Sequence, residues 1–197
     1  MSKLGSEENP LKVAIVGAGP SGFYAADALI NSDLKVEVNL LEKLCAPYGL
    51  VRTGVAPDHP LIKKSIEKFA VMAEPEAFNY FGNVSVGKDI TVDELKETHH
   101  AVIITMGAET DRKLGIPGED LKGSHTATEF VAWYNGHPEY REREFDLSHE
   151  TAVIIGQGNV AADVARILSK TVDELKCTDI SQHALDVLET SKVKNIY

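Results

Sequence analysis

Cysteine is scarce in this chain of 197 residues, and its two cysteines, Cys45 and Cys177, lie far apart with no C-x-x-C motif. That spacing argues against a dithiol redox centre and a cysteine-rich metal site, and it suits two small apolar side chains in a reducing compartment. Positive charge is also in short supply: 20 Lys and Arg face 30 Asp and Glu, for a net charge of −10. A surface of that sign repels phosphate, which argues against nucleic acid and anionic membranes as partners. No apolar run approaches the roughly 18 residues that a membrane span needs. The opening segment carries Glu7 and Glu8 and lacks an apolar stretch, so it reads as neither a secretory signal nor a transit peptide. The expectation is a cytoplasmic chain with a short disordered lead-in to its first strand. No metal site, activated nucleophile or catalytic carboxylate pair is evident.

Glycine, by contrast, is placed with purpose. Val13 to Gly17 and Ala152 to Gly156 are two short β-branched runs that each end in glycine and enter a glycine-rich turn followed by a helix-compatible stretch. Continuous apolar strands of this kind are expected to be buried on both faces of a parallel sheet. In the first turn, Gly17-Ala18-Gly19-Pro20-Ser21-Gly22 is G-x-G-x-x-G in the required place, after a strand and before a helix. Gly17 permits the tight turn, Gly19 lets the backbone approach a pyrophosphate, and Gly22 lets the helix pack closely on the strand. Glu42 ends the next strand, where a carboxylate accepts hydrogen bonds from ribose hydroxyls and repels a 2′-phosphate, so this turn suits FAD or NAD. The second turn, Gly156-Gln157-Gly158-Asn159-Val160-Ala161, repeats the geometry with alanine in third place, a change common in NADP sites. The group that would read the adenosine ribose there is not expected within this sequence.

Elsewhere the pattern alternates between strand and helix. Residues 20–31 and 61–74 read as helices, the second with Ile62, Ile66, Phe69, Ala70 and Ala73 on one face. Val36 to Leu41 reads as a strand and Ala101 to Thr105 as another buried strand, Asp179 to Ser191 as a late helix and Val193 to Tyr197 as a final strand. Thr91-Val-Asp-Glu94 and Thr171-Val-Asp-Glu174 both carry the capping-box pattern. Glycine and proline thicken between Gly107 and Gly123, where a crossing between domains is expected. The fold expected is α/β, with Rossmann-like parallel sheets divided into residues 1–106 and 107–197.

Several longer motifs carry a family resemblance. They are Gly17 to Gly22, the run from Tyr48 to Pro60 (YGLVRTGVAPDHP), Gly82 to Gly87, Gly107-Ala108 with Ile116 to Glu119, Phe130 to Asn135, and Gly156 to Leu168. In order and spacing the chain from Lys12 onward resembles the N-terminal part of adrenodoxin-reductase-type ferredoxin–NADP⁺ reductases. The resemblance implies an FAD-binding domain at residues 1–106 and the start of an inserted NADP-binding domain at 107–197. It implies FAD contacts at Gly17, Ala18, Gly19, Pro20, Ser21, Gly22, Glu42, Lys43, Gly49, Leu50 and Val86, with serine at 21 where alanine is usual. It implies NADP contacts at Gln157, Gly158, Asn159 and Val160. His59 would stand at the flavin in an active-site role, where residues alone would suggest a surface or loop-capping histidine. Arg52 is left open between a flavin-side cation and an ordinary ion-pair partner, and Trp133 and Tyr134 between core and domain-contact aromatics.

The activity so implied is hydride transfer from NADPH to flavin, then single electrons to a ferredoxin-type iron–sulfur partner. Complete members of that family are more than twice this length, so the chain is expected to be an N-terminal portion whose exposed strand edges favour self-association. Two other readings remain: a non-catalytic nucleotide-binding or interaction module, and an NAD-linked dehydrogenase that uses only the first turn.

Overall fold

The computed structural model describes residues 2–108 and 110–197. By its internal contacts the chain forms two compact units: residues 1–52 with 64–108, and residues 53–63 with 109–197. The short stretch 53–63 thus belongs with the second unit although it interrupts the first in sequence.

The first unit begins with strand β1 (Leu11–Val16), helix α1 (Pro20–Ile30) and strand β2 (Val36–Glu42), followed by the short helix α2 (Gly49–Thr53). After α3 (Pro60–Lys63), which goes with the second unit, come α4 (Ser65–Met72), β3 (Phe78–Gly82), α5 (Val92–Thr98) and β4 (Ala101–Ile104). The four strands form one parallel sheet in the order β3-β2-β1-β4. Period-2 alternation sorts its side chains. Val13, Ile15, Val38 and Leu40 pack with Phe23 of α1 and Phe69 and Met72 of α4, while Ala14, Val16 and Leu41 meet Leu95 of α5 on the other face. Burial on both faces explains why β1 and β2 are nearly continuous in apolar residues. β4 departs from that expectation: it is an edge strand, and Ile104 is 51% exposed.

The helix expected over residues 61–74 is two helices. Lys63 Nζ donates to Asn135 Oδ1 at 2.9 Å and pairs with Asp179 at 2.7 Å, both in the second unit. Phe69 and Met72 instead join the core of the first unit. Ile62, placed on the buried face by periodicity, is 53% exposed. The capping boxes form as expected at Thr91–Glu94 and Thr171–Glu174, each hydroxyl taking the N3 amide and each glutamate returning to the threonine amide.

The second unit contains α6 (Ala127–Tyr134), a 3₁₀ turn at Pro138–Tyr140, β5 (Thr151–Ala152), α7 (Asn159–Ser169), α8 (Val172–Leu175), α9 (Gln182–Glu189) and β6 (Asn195–Ile196). Its core is aromatic: Phe130, Trp133, Tyr134 and Phe145 pack with Ile167, Leu175, Ile180 and Leu188. Trp133 and Tyr134 are therefore core residues. The run Ala152–Ile155, expected to be buried on both faces, is not: Val153 is 70% and Ile155 68% exposed. Burial of such a strand requires sheet neighbours and covering helices, and among the described residues β5 pairs only with β6. Among the described residues no helix is long and apolar enough to cross a membrane.

Candidate functional site

In the first unit, β1 ends at the point where strand order changes direction. β2 lies on one side of β1 and β4 on the other, the place at which open α/β sheets bind ligands. The chain turns there at Gly17, whose φ is +103°. A Cβ on Gly17 would stand 2.7–2.8 Å from backbone atoms of Thr105 and Met106. A Cβ on Gly22 would run into the Gly17 carbonyl oxygen, so α1 leaves the strand closely enough to exclude any side chain. Gly19 differs: a Cβ added there meets nothing within 4 Å. The backbone is thus bare on the side where a ligand phosphate would approach.

The loop is held in shape by its neighbours. Thr105 Oγ1 donates to the carbonyls of Val16 and Gly17, both at 2.9 Å. The Tyr48 amide donates to Ala18 O at 2.8 Å, and a Cβ on Gly49 would lie 2.9 Å from Gly19 Cα. Tyr48 itself is at φ +89°, and its ring packs against Phe23 and Phe69. Glu42 Oε2 accepts from the Ala18 amide at 2.8 Å and Oε1 from the Leu44 amide at 3.1 Å. Each carboxylate oxygen keeps a second lone pair for a ligand hydroxyl, so Glu42 both shapes the turn and retains acceptor capacity. Ser21 is exposed, Lys43 and Gly49 are half-buried, and Leu50 lies 68% exposed at the start of α2. Val86 is half-buried against the cluster around Leu41 and Leu95. Arg52 donates from Nε to Pro47 O at 3.0 Å, with its guanidinium 5.3 Å from the Tyr48 ring centre.

In the second unit, Gly156 is at φ +144° and the would-be Cβ of Gly158 again meets nothing within 4 Å. A cavity of about 270 Å³ opens there, lined by Ile154, Gly156, Gln157, Gly158, Ala161 and Tyr197 among others. Asn159 and Val160 begin α7 and are exposed. Helices α1 and α7 both start at an extended glycine with no side-chain cap, whereas Thr91, Thr126 and Thr171 cap α5, α6 and α8. α4 and α9 also lack a side-chain cap, but no glycine turn precedes either. Uncapped first-turn amides and the positive end of the helix dipole favour an anion.

His59 belongs to this second unit by its contacts. Its side chain is 39% exposed, and Nε2 lies 3.2 Å from Asp163 Oδ1 on α7. Beside it, Asp58 is only 6% exposed and receives the Arg166 fork: Nε to Oδ2 at 2.5 Å and Nη2 to Oδ1 at 2.7 Å. Lys170 Nζ adds a third bond to Asp58 Oδ2 at 2.7 Å. The Arg166 guanidinium, joined by Lys170, holds the Asp58 carboxyl well below the usual carboxylate range. The same pairing with Asp58 raises Arg166 further. Tyr134 Oη is buried with no hydrogen-bond partner, and burial, together with the nearby Asp163 charge, pushes its pKa up.

The pairing of Asp58, in the turn before α3, with Asp163, Arg166 and Lys170 on α7 and its C-cap escapes a reading based on motifs, because charged side chains on turns and helices ordinarily face solvent. The available signal was the spacing of Asp163, Arg166 and Lys170, which recur every three or four residues along one side of α7 and its C-cap. Among the described residues no group of three or more His, Cys, Asp or Glu is arranged to hold a metal.

Residues 11–196 match the family model described as pyridine nucleotide-disulphide oxidoreductase. Over 185 residues the chain is 55% identical to the mitochondrial NADPH:adrenodoxin oxidoreductase of Salvelinus fontinalis, covering 94% of this chain and 37% of that protein. It is 51% identical to the NADPH-ferredoxin reductase FprA of Mycobacterium leprae, covering 93% of this chain and 41% of the relative. The structure of Mycobacterium tuberculosis FprA in complex with NADPH superposes with a TM-score of 0.92 at 49% identity, over 95% of this chain and 42% of that one. The chain therefore spans about two fifths of the length of these relatives. The glycine turns that follow β1 and β5 lie inside the matched span, and the chain belongs to the pyridine nucleotide-disulphide oxidoreductase family.

Proposed function

We propose that the chain binds two dinucleotides, FAD at the first glycine turn and NADPH at the second, as part of a reductase that passes electrons to a ferredoxin-type iron–sulfur protein. The observation that carries this reading is the pair of bare cradles: at Gly19 and at Gly158 an added Cβ meets open space, each at an uncapped helix start. Relatives named for NADPH, adrenodoxin and ferredoxin support the choice of nucleotide and of electron acceptor. On this reading residues 1–106 are FAD-binding and residues 107–197 NADP-binding, with segment 53–63 serving the latter. Gly17 to Gly22, Glu42, Lys43, Gly49, Leu50 and Val86 attend the flavin nucleotide; Gln157 to Val160 attend NADPH, and His59 acts at the reacting end. The cofactors supply the hydride and single-electron chemistry, and the protein supplies orientation and electrostatics. Two exposed free thiols, Cys45 and Cys177, accord with residence in a reducing cytoplasm.

The test is a flavin titration. Glu42→Ala should weaken FAD at least tenfold, because a ribose hydrogen bond to a charged group is lost (about 1.5–3 kcal/mol). Glu42→Gln keeps one acceptor oxygen and should fall between the two. Equal affinity in all three proteins, read by flavin fluorescence, overturns the assignment of Glu42.

A second outcome concerns the other nucleotide. The last arginine in the sequence is Arg166, and its guanidinium is engaged with Asp58 and Asp163. With that fork committed away from a 2′-phosphate, the chain should bind NADPH and NADH within about tenfold of each other, a difference of about 1.4 kcal/mol. Calorimetry that shows a larger NADPH preference would reveal another group reading the phosphate.

A further inference from the structure

Three acceptors compete for one nitrogen of Arg166. Its Nη2 lies 2.7 Å from Asp58 Oδ1, 2.8 Å from Asp163 Oδ1 and 2.8 Å from His59 Nε2. A guanidinium has no acceptor atom, and Nη2 carries two protons. For the 2.8 Å contact to be attractive, one Nη2 proton serves Asp58 and the other is shared between His59 Nε2 and Asp163 Oδ1, so that Nε2 is an acceptor and the imidazole proton sits on Nδ1. The alternative gives Nε2 the proton and lets it donate to Asp163, but over a longer 3.2 Å. It would also set two donors face to face at 2.8 Å.

We propose that Arg166 is a positioning residue that holds His59 in its Nδ1–H tautomer, with Asp58 as the anchor that fixes Arg166. Asp58 suits that task because it is nearly buried and takes both Nε and Nη2 of the fork, so the guanidinium plane cannot turn. Lys170 balances the second lone pair of Asp58 Oδ2. Tyr134, whose buried hydroxyl feels the charges of Asp163, Arg166 and Asp58, keeps its proton because burial raises its pKa, and so does not exchange with the imidazole. Arg166 and Asp163 stand on α7, the helix whose first residues follow the second glycine turn. The histidine is thereby mounted on the element that would carry the nicotinamide nucleotide. Its meaning for hydride transfer rests on the function proposed above, but the tautomer is a property of the protein alone.

The experiment is long-range ¹H–¹⁵N NMR of the ¹⁵N-labelled 197-residue chain without nucleotide, at a pH where imidazoles are neutral. His59→Gln assigns the signal. In the parent chain Nδ1 should show the shift of a protonated nitrogen and Nε2 that of a bare one, with this tautomer favoured about tenfold or more, as a bond from a charged donor supports. Arg166→Met should reverse the preference, since Nε2–H is then free to donate to Asp163. Asp163→Asn, which leaves the Arg166–Asp58 pair intact, should keep Nδ1–H, and it covers the case in which Arg166→Met fails to fold. The native tertiary signal of Trp133 reports folding in each variant. A parent chain in the Nε2–H form, a folded Arg166→Met with unchanged populations, or a switch in Asp163→Asn overturns the proposal. Because no nucleotide is present, a failed FAD or NADPH titration leaves this result untouched.

Discussion

Gly17→Ala should cripple the folding of the first unit, while Gly19→Ala, two residues on, should leave folding nearly intact and cripple ligand binding. A methyl added at Gly17 would lie 2.7–2.8 Å from the Thr105 and Met106 backbone, and φ at this position is +103°. A left-handed alanine costs about 1–3 kcal/mol, and overlap with backbone that cannot rotate away adds about 1–3 kcal/mol more. At Gly19 the backbone is extended, with φ −81° and ψ −178°, a conformation that alanine adopts freely. An added Cβ there meets nothing within 4 Å. Loss of glycine from the N-cap should cost less than about 1 kcal/mol. A methyl in the cradle instead keeps a phosphate from the α1 amides, so FAD affinity should fall at least tenfold, about 1.4 kcal/mol. Urea unfolding followed by far-UV circular dichroism, paired with flavin titration, separates the two effects. Equal stabilities for the two variants would refute the division of roles between these glycines.

Asp58→Ala should destabilise the second unit by about 1.5–3 kcal/mol near neutral pH, the scale of hydrogen bonds to charged groups. Removing the carboxylate strands the Arg166 fork and the Lys170 ammonium, which together make three bonds to it. The pH dependence has a defined sign. The folded-state pKa of Asp58 lies far below its ordinary value of 3.8, chiefly because of Arg166. Above that ordinary value the folded and unfolded forms are both ionised, and the full contribution is present. As pH falls below it, the unfolded chain binds a proton that the folded chain does not, and the contribution is lost progressively. The gap between parent and Asp58→Ala should therefore be widest at neutral pH and close on acidification. Trp133, buried in this unit and the single tryptophan of the chain, reports it by fluorescence. A gap independent of pH would show that Asp58 acts through packing and not through its charge.

The first glycine turn was legible in the sequence because its requirements are local. A tight turn, a close helix start and an acid at the next strand end are set by backbone geometry within a few dozen residues, and Gly17, Gly19, Gly22 and Glu42 satisfy them one by one. The capping boxes at Thr91 and Thr171 were legible for the same reason, since each is complete within four residues. β1 and β2 announced a parallel sheet through unbroken apolar runs.

Burial and partnership were not legible, because they depend on what the rest of the chain brings alongside. Val153 and Ile155 are as apolar as Val13 and Ile15, yet they lie exposed where, among the described residues, only β6 pairs with β5. Residues 61–74 have one helical period but divide between two units at Lys63, whose ammonium is drawn to Asn135 and Asp179. His59 was singled out only through a resemblance, with no hint of its surroundings. Its neighbours on α7 stand more than 100 residues away in sequence. A charged side chain looks the same in sequence whether it faces water or a buried carboxylate. Tertiary structure alone decided that Arg166 closes on Asp58 and so fixes which imidazole nitrogen faces it.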